Sequence, residues 1–432
     1  MKQGLKQSPW WFCWLGAVLL VAGCRNSPER EWPGWRGPDG LGLADGPLPV
    51  TWDGDGVGDG SGIRWRTELP GVGNSSPVAA GGRIFLTTAV EPSASGEAQR
   101  SVVALDLDSG DLLWRTPVLS APRETTHRFN TVAAPTPVTD GESVFVYFGS
   151  VLARLDRDGE LIWVREIDPR YSELSHYGAS SSPVLTDEAV IVTQDREYAT
   201  TDDPGWIAAF DRATGEPLWR TEWSNTCCSY STPLVVRRGG REEIVFAHSG
   251  RVAAYAADSG ERLWDHGYPI HQMVGSPVIE GDLLGVSGGA HHVRHTVFLR
   301  LIGTGSETRT EVLWEDGRLV PQVSSPVLYD GLFFTVTDQG VLACRDAQTG
   351  EVLWKHRLSA GRDRASLIAG DGKVYVASST GVVSVVAAAP KFELLAENDL
   401  GEELSNASPA VAGECLLLRT RTALVCIQRR VE

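Results

Sequence analysis

Short runs of alternating apolar and polar residues recur along the chain, bounded by glycine and aspartate. SVFVY at 143–147, LFFTV at 332–336 and KVYVA at 373–377 are examples. Their β-branched and aromatic content predicts strands joined by tight turns, and weak helical periodicity predicts little helix. Two phrases punctuate these runs. One is DLDSGDLLW at 106–114, DRATGEPLW at 211–219, AADSGERLW at 256–264 and DAQTGEVLW at 346–354, with a clipped copy ending at Trp163 and looser ones at Trp65 and Trp314. The other is Ser/Thr-Pro followed by an apolar residue, at Pro77, Pro137, Pro183, Pro233, Pro277, Pro326 and Pro409, with a degenerate form at Ser366. Repetition at this spacing predicts an array of one small β unit.

Each unit reads as four strands. Strand A starts at the Ser/Thr-Pro mark, an Asp-Gly type turn follows, and strand B is the aromatic run. Strand C carries Ala-x-Asp and strand D carries the tryptophan. The Asp-x-x-Thr/Ser-Gly stretch makes the C–D turn, its aspartate accepting backbone amides and its glycine free to take a positive φ. A four-stranded sheet cannot bury its own faces, so Trp65, Trp114, Trp163, Trp219, Trp264, Trp314 and Trp354 are expected to wedge against the neighbouring unit. Radial packing of such sheets gives an all-β, eight-bladed β-propeller of four-stranded antiparallel blades. The strand at 63–66 precedes the first mark, and the last unit lacks a strand D. The N-terminal strand should therefore lie beside 424–427 and close the last blade.

Composition narrows the class. The net charge of −16 argues against a nucleic-acid partner, which needs a basic face. At the N-terminus, Lys2 and Lys6 precede a short apolar run from Trp10 to Ala22, then Val21-Ala22-Gly23-Cys24. That pattern is a targeting segment, too short for a comfortable membrane span. The division expected is a signal peptide at 1–23, a tether with a docked Trp-rich segment at 24–61, and the propeller at 62–432. The tether is poor in apolar residues, yet WPGWRGP at 32–38 is aromatic enough to dock on the ring. The run DGDGVGDG at 53–60 fails a calcium-loop template, with Val57 and Arg64 at ligand positions, and reads as a solvated loop. Cys415 and Cys426 lie symmetrically about Thr420-Arg421, which predicts that they face each other across the last hairpin; whether they are bonded stays open. Cys344 reads as a small buried filler.

Antiparallel strand order puts the D–A and B–C connections on one face of the ring, and these are the long ones, including 116–134, 166–180, 220–230 and 88–101. A binding surface is expected there. The candidates are His127, Arg128 and Asn130 in one loop, Glu173, His176 and Tyr177 in the next, then Cys227, Cys228 and Tyr230. His291, His292 and His295 form a local cluster that reads as exposed rather than metal-binding, and no catalytic or metal motif stands out elsewhere.

The Ala-x-Asp-x-x-Thr-Gly-Glu-x-x-Trp phrase, as it stands from Ala209 to Trp219, resembles the tryptophan-docking repeat of pyrroloquinoline quinone (PQQ) propellers. One branch of that family comprises quinoprotein alcohol dehydrogenases, which hold PQQ and calcium over the channel. Their adjacent-cysteine disulfide resembles Cys227-Cys228, whose flanks here depart from the enzyme pattern. The other branch comprises non-enzymatic outer-membrane lipoproteins similar to assembly factor BamB. Together with WPGWRGP, SSPV at 75–78 and ENDLG at 397–401, the pattern is similar to bacterial PQQ-like β-propeller repeat lipoproteins. The resemblance implies an anchor acylated at Cys24, a place in the cell envelope, no cofactor, and envelope proteins as partners on the loop-rich face. PQQ with calcium, or a small ligand such as a sugar, are the alternatives.

Overall fold

A computed structural model describes Met1 and residues 31–429, except 55, 59–60, 91–95, 123–125, 172–176, 196–199, 201, 225–228, 291–292, 360 and 362–364. Eight antiparallel sheets stand around an axis, and the described residues hold little helix, a short 3-10 turn at Gly305–Glu307 being one piece of it. Blade 1 shows the plan: strand A Val78–Ala80, B Arg83–Val90, C Glu97–Asp106 and D Leu112–Pro122. The first strand of the ring, Ile63–Glu68, completes blade 8 as its strand D beside Ala423–Gln428, with Ile63 opposite Ile427 and Arg66 opposite Val425. The ring is thus stapled where its two ends meet. Blade 1 differs from expectation in length. Its strands run through most of 88–101 and on to Pro122, shortening the connections expected there.

The apolar core lies between blades rather than at the centre. One cluster joins Phe85 and Ala104 of blade 1 to Val144 and Val146 of blade 2, and the next joins Phe145 to Val192 and Trp206 of blade 3. The repeated phrase explains these interfaces. A β-bulge just before each tryptophan turns the indole sideways, out of its own sheet. The ring then lies on the C–D turn of the next blade. The Nε1 of Trp65 donates to Leu107 O at 3.1 Å, that of Trp114 to Arg157 O at 3.1 Å, and that of Trp163 to Arg212 O at 3.2 Å. Trp219, Trp314 and Trp354 donate likewise to Ala257 O, Ala347 O and Ala389 O. The turn's glycine is what admits the indole. At Gly260 (φ +70) a β-carbon would stand 2.2 Å from Trp219. Trp264 departs from the pattern. Blade 5 has the Gly305–Glu307 turn in place of the aspartate loop, and the Trp264 Nε1 points to the buried Glu243 of its own blade at 3.4 Å.

Residues 31–52 do more than tether. Trp32 pairs with Ala79 of blade 1, Leu43–Ala44 adds a fifth, parallel strand beside Ile368–Gly370 of blade 7, and Trp52 is buried in the blade 7–8 core. Asn398, from the ENDLG motif, holds the segment by both ends of its amide, accepting from Trp52 N at 3.0 Å and donating to Val50 O at 2.9 Å. A Gly- and Pro-rich stretch reads as linker because its contacts are made by backbone rather than by an apolar stripe.

The last hairpin also corrects an expectation. Cys415 lies opposite Gln428 and Cys426 opposite Leu417, because the turn is centred one residue later than the cysteine spacing suggests. The two are diagonal neighbours, and both are free, buried thiols. Cys344 is also free and fully buried, and burial pushes its thiol up to about 12.

Candidate functional site

The Ser/Thr-Pro mark builds the wall of the central channel. Proline removes one backbone donor, and the residue before it turns its own amide to the next blade. Ser76 N donates to Thr136 Oγ1 at 2.9 Å, Thr136 N to Ser182 Oγ at 3.0 Å, and Ser182 N to Thr232 Oγ1 at 3.0 Å. The chain of bonds continues through Ser276, Ser325, Ser366 and Ser408, whose amide returns to Ser76 Oγ at 2.9 Å. Eight buried amides and eight hydroxyls form one closed circuit around the axis. The degenerate mark at Ser366 keeps the hydroxyl and loses only the proline.

One end of the channel is filled by the chain's own segment. Pro33 O accepts from Thr139 N at 2.8 Å, Gly34 packs on Val138, and Gly40 on Leu234, so residues 33–40 cross beneath blades 2 to 4. Arg36 crosses to the far side, where its Nη2 reaches Leu41 O, Pro326 O and Leu367 O. Complete burial without a carboxylate partner lowers its guanidinium pKa to about 9. Trp35 is left facing up the channel as a floor. These contacts lie toward the A–B ends of the strands, so the open mouth is on the D–A and B–C face.

That mouth is a cup of about 320 Å³. The loop from His127 to Asn130 arches over it and is held from both sides: Phe129 O accepts from Asn74 Nδ2 at 2.9 Å and from Asn406 Nδ2 at 2.6 Å. Asn130 Nδ2 reaches Tyr177 O at 2.8 Å, which ties this loop to the next. The His127 ring lies 5.7 Å from Tyr177, and Tyr177 lies 6.0 Å from Tyr230, making an aromatic arc across blades 2 to 4. Arg128 covers Phe129 from outside at 4.5 Å. The structure therefore gathers His127, Asn130, Tyr177 and Tyr230 around one cavity, with Arg128 at its rim. Glu173, His176, Cys227 and Cys228 lie outside the described residues, as do Cys24, His291 and His292. His295 sits elsewhere, on strand C of blade 5, with its Nε2 2.8 Å from Glu315.

Asn74, Gln272, Gln322, Asn406 and Trp35 also line the cup and were not singled out from sequence. The hydroxyl ring had a visible signal, since a serine or threonine stands at the same station of all eight units. The amides had none, being scattered polar residues in loops of unequal length.

The described lining contains no aspartate, glutamate, lysine or arginine. Calcium takes carboxylate and other oxygen ligands, and a tricarboxylate quinone needs cations. The described donor set does not fit that pair. No cluster of three or more metal-ligating side chains exists among the described residues. No helix among them is long and apolar enough to cross a membrane.

Comparison with known proteins adds family and fold. The family described as outer membrane protein assembly factor BamB matches residues 57–188, 178–293 and 304–430. BamB of Burkholderia pseudomallei (strain K96243) is 28% identical over 199 residues, 45% of this chain and 46% of that protein. The match thus spans about half the length of that relative. The crystal structure of BamB from Moraxella catarrhalis has a TM-score of 0.58 at 14% identity, covering 85% of this chain and 99% of that one. Quinohemoprotein alcohol dehydrogenase from Comamonas testosteroni reaches 0.61 at 10% identity, covering 93% and 81%. At such identities these two structures speak for the fold alone.

Proposed function

The chain belongs to the family of outer membrane protein assembly factor BamB, and from that membership we propose that it is a lipid-anchored cell-envelope scaffold that binds other envelope proteins without catalysis. Residues 1–23 serve as a signal peptide, Cys24 carries the lipid, and the ring displays its D–A and B–C loops to partners. One observation carries the choice of face. The A–B end of the channel is occupied by the chain's own residues 33–40, which leaves the loop-rich end open. Phe129, 37% exposed beneath Arg128, gives that end the aromatic and arginine character of protein interfaces.

The docked segment also orients the ring. Eight residue steps separate Cys24 from Trp32, and a chain of that length spans at most ~29 Å. An acylated Cys24 holds the A–B face toward the membrane and turns the loop face outward.

The test is purification from the native envelope under mild detergent. Other envelope proteins are expected to co-purify, and Phe129→Asp should release them. Purified protein mixed with PQQ and calcium should neither reduce dye with alcohols nor change quinone absorbance. Turnover would establish the dehydrogenase reading instead. Mass spectrometry of the mature N-terminus checks the lipid, and an unmodified Cys24 would defeat the anchor.

A further inference from the structure

The hydroxyls of the central circuit have a second valence to use. Each oxygen accepts one amide from the adjacent blade, and among the described residues none of the eight donates its own hydrogen to a protein acceptor. Seven of the eight line the cup. A ring of uncommitted O–H donors favours a ligand rich in oxygen acceptors.

Three further features narrow the ligand. The described lining holds no aspartate, glutamate, lysine or arginine, although the chain carries 39 basic and 55 acidic residues. A charged ligand would lose its hydration here and meet no carboxylate, ammonium or guanidinium in that described lining. The cup is two-sided, with the His127–Tyr177–Tyr230 arc along blades 2 to 4 and amides such as Gln322 across the axis. It is also a dead end, floored by Trp35, with a volume at the low end of small-molecule sites. A peptide threading inward would have to stop with a charged terminus, or double back in too little room.

We propose that the channel mouth binds the end of a neutral saccharide, its apolar C–H face against the aromatic arc and its hydroxyl oxygens on the serine and threonine ring. This binding does not rest on the scaffold reading, although Phe129 borders both the cup and the outer surface of the loops.

The experiment titrates the full chain in detergent with three disaccharides of one shape class: neutral N,N′-diacetylchitobiose and cellobiose, and the cationic glucosamine dimer. Calorimetry gives affinity, and saturation-transfer NMR gives the contacting protons. At least one neutral disaccharide should bind in the millimolar range or tighter, with saturation on its C–H protons, and the glucosamine dimer should bind at least about tenfold more weakly, a difference of about 1.4 kcal/mol. Tyr177→Ala and Tyr230→Ala, each with an unchanged melting profile, should each weaken the neutral ligand about tenfold. Absence of binding by both neutral disaccharides would overturn the proposal, as would equal binding of the charged dimer. Unaltered affinity in both folded variants would overturn it too. Co-purification of envelope proteins is read on the wild-type chain without added saccharide, so a failure of the scaffold reading is distinguishable from an absence of disaccharide binding.

Discussion

Gly260→Ala probes the contact that holds neighbouring blades together. Gly260 has φ +70, and a β-carbon there would meet the Trp219 indole at 2.2 Å. Gly331 also has φ +70, but a β-carbon there meets nothing within 4 Å. Both alanines bear the same left-handed backbone cost of ~1–2 kcal/mol. Only at position 260 must the indole move, at an overpacking cost of ~1–3 kcal/mol. Displacement also breaks the 2.9 Å bond from Trp219 Nε1 to Ala257 O, worth about 1 kcal/mol. Gly331→Ala should therefore lose about 1–2 kcal/mol and Gly260→Ala about 3–6 kcal/mol. Urea denaturation followed by circular dichroism gives both values from midpoint and slope. In a Trp219→Ala background the excess at position 260 should vanish, because the two sites are in contact and do not add. Equal losses at 260 and 331 would refute the wedge argument, whatever their size.

Three other outcomes are expected. Ser366→Ala leaves the buried Ser325 amide without its 3.0 Å acceptor and should cost about 1–3 kcal/mol; Ser366→Thr should cost less, since threonine fills the same station at 136 and 232, and denaturant melts compare the two. At Asp316, burial works to raise the carboxyl pKa, but bonds from Arg318 and Arg345 outweigh it and hold it at about 2, below the ordinary 3.8. A depressed carboxylate contributes stability that is full above about pH 4 and fades as pH falls toward 2. Asp316→Asn should accordingly destabilise at neutral pH, with the gap to wild type closing over that window; a gap independent of pH would contradict the assignment. Asn398→Ala should speed hydrogen exchange at the Trp52 amide by about tenfold or more, while amides in Leu416–Leu418 of the neighbouring blade keep their protection.

The architecture was legible because one phrase encodes both halves of a contact. The glycine of each Asp-x-x-Thr-Gly turn is the seat for the tryptophan of the preceding unit, so counting phrases counts interfaces. Closure was legible because 63–66 and 424–427 each lacked a partner. The circuit of hydroxyls was less so: Ser76 and Thr136 are 60 residues apart, and their bond appears only when blades stand side by side. Trp264 broke the pattern through a change in its neighbour's turn at Gly305–Glu307 rather than in its own phrase. The docked segment was read only as far as Pro38, since Asn398 and Arg36 fasten it through carbonyls and amides that composition does not reveal. A one-residue shift in the final turn was enough to misplace Cys415 relative to Cys426.

On the proposed reading the D–A and B–C loops form the working face while the N-terminal segment covers the A–B end of the channel. Photo-crosslinking in intact cells, with the reactive group placed at Phe129 or at Gly281 in an A–B turn, distinguishes the two faces. Phe129 should capture envelope proteins in discrete bands and Gly281 should capture none. Partners caught from Gly281, with nothing at Phe129, would turn the ring over and contradict the account.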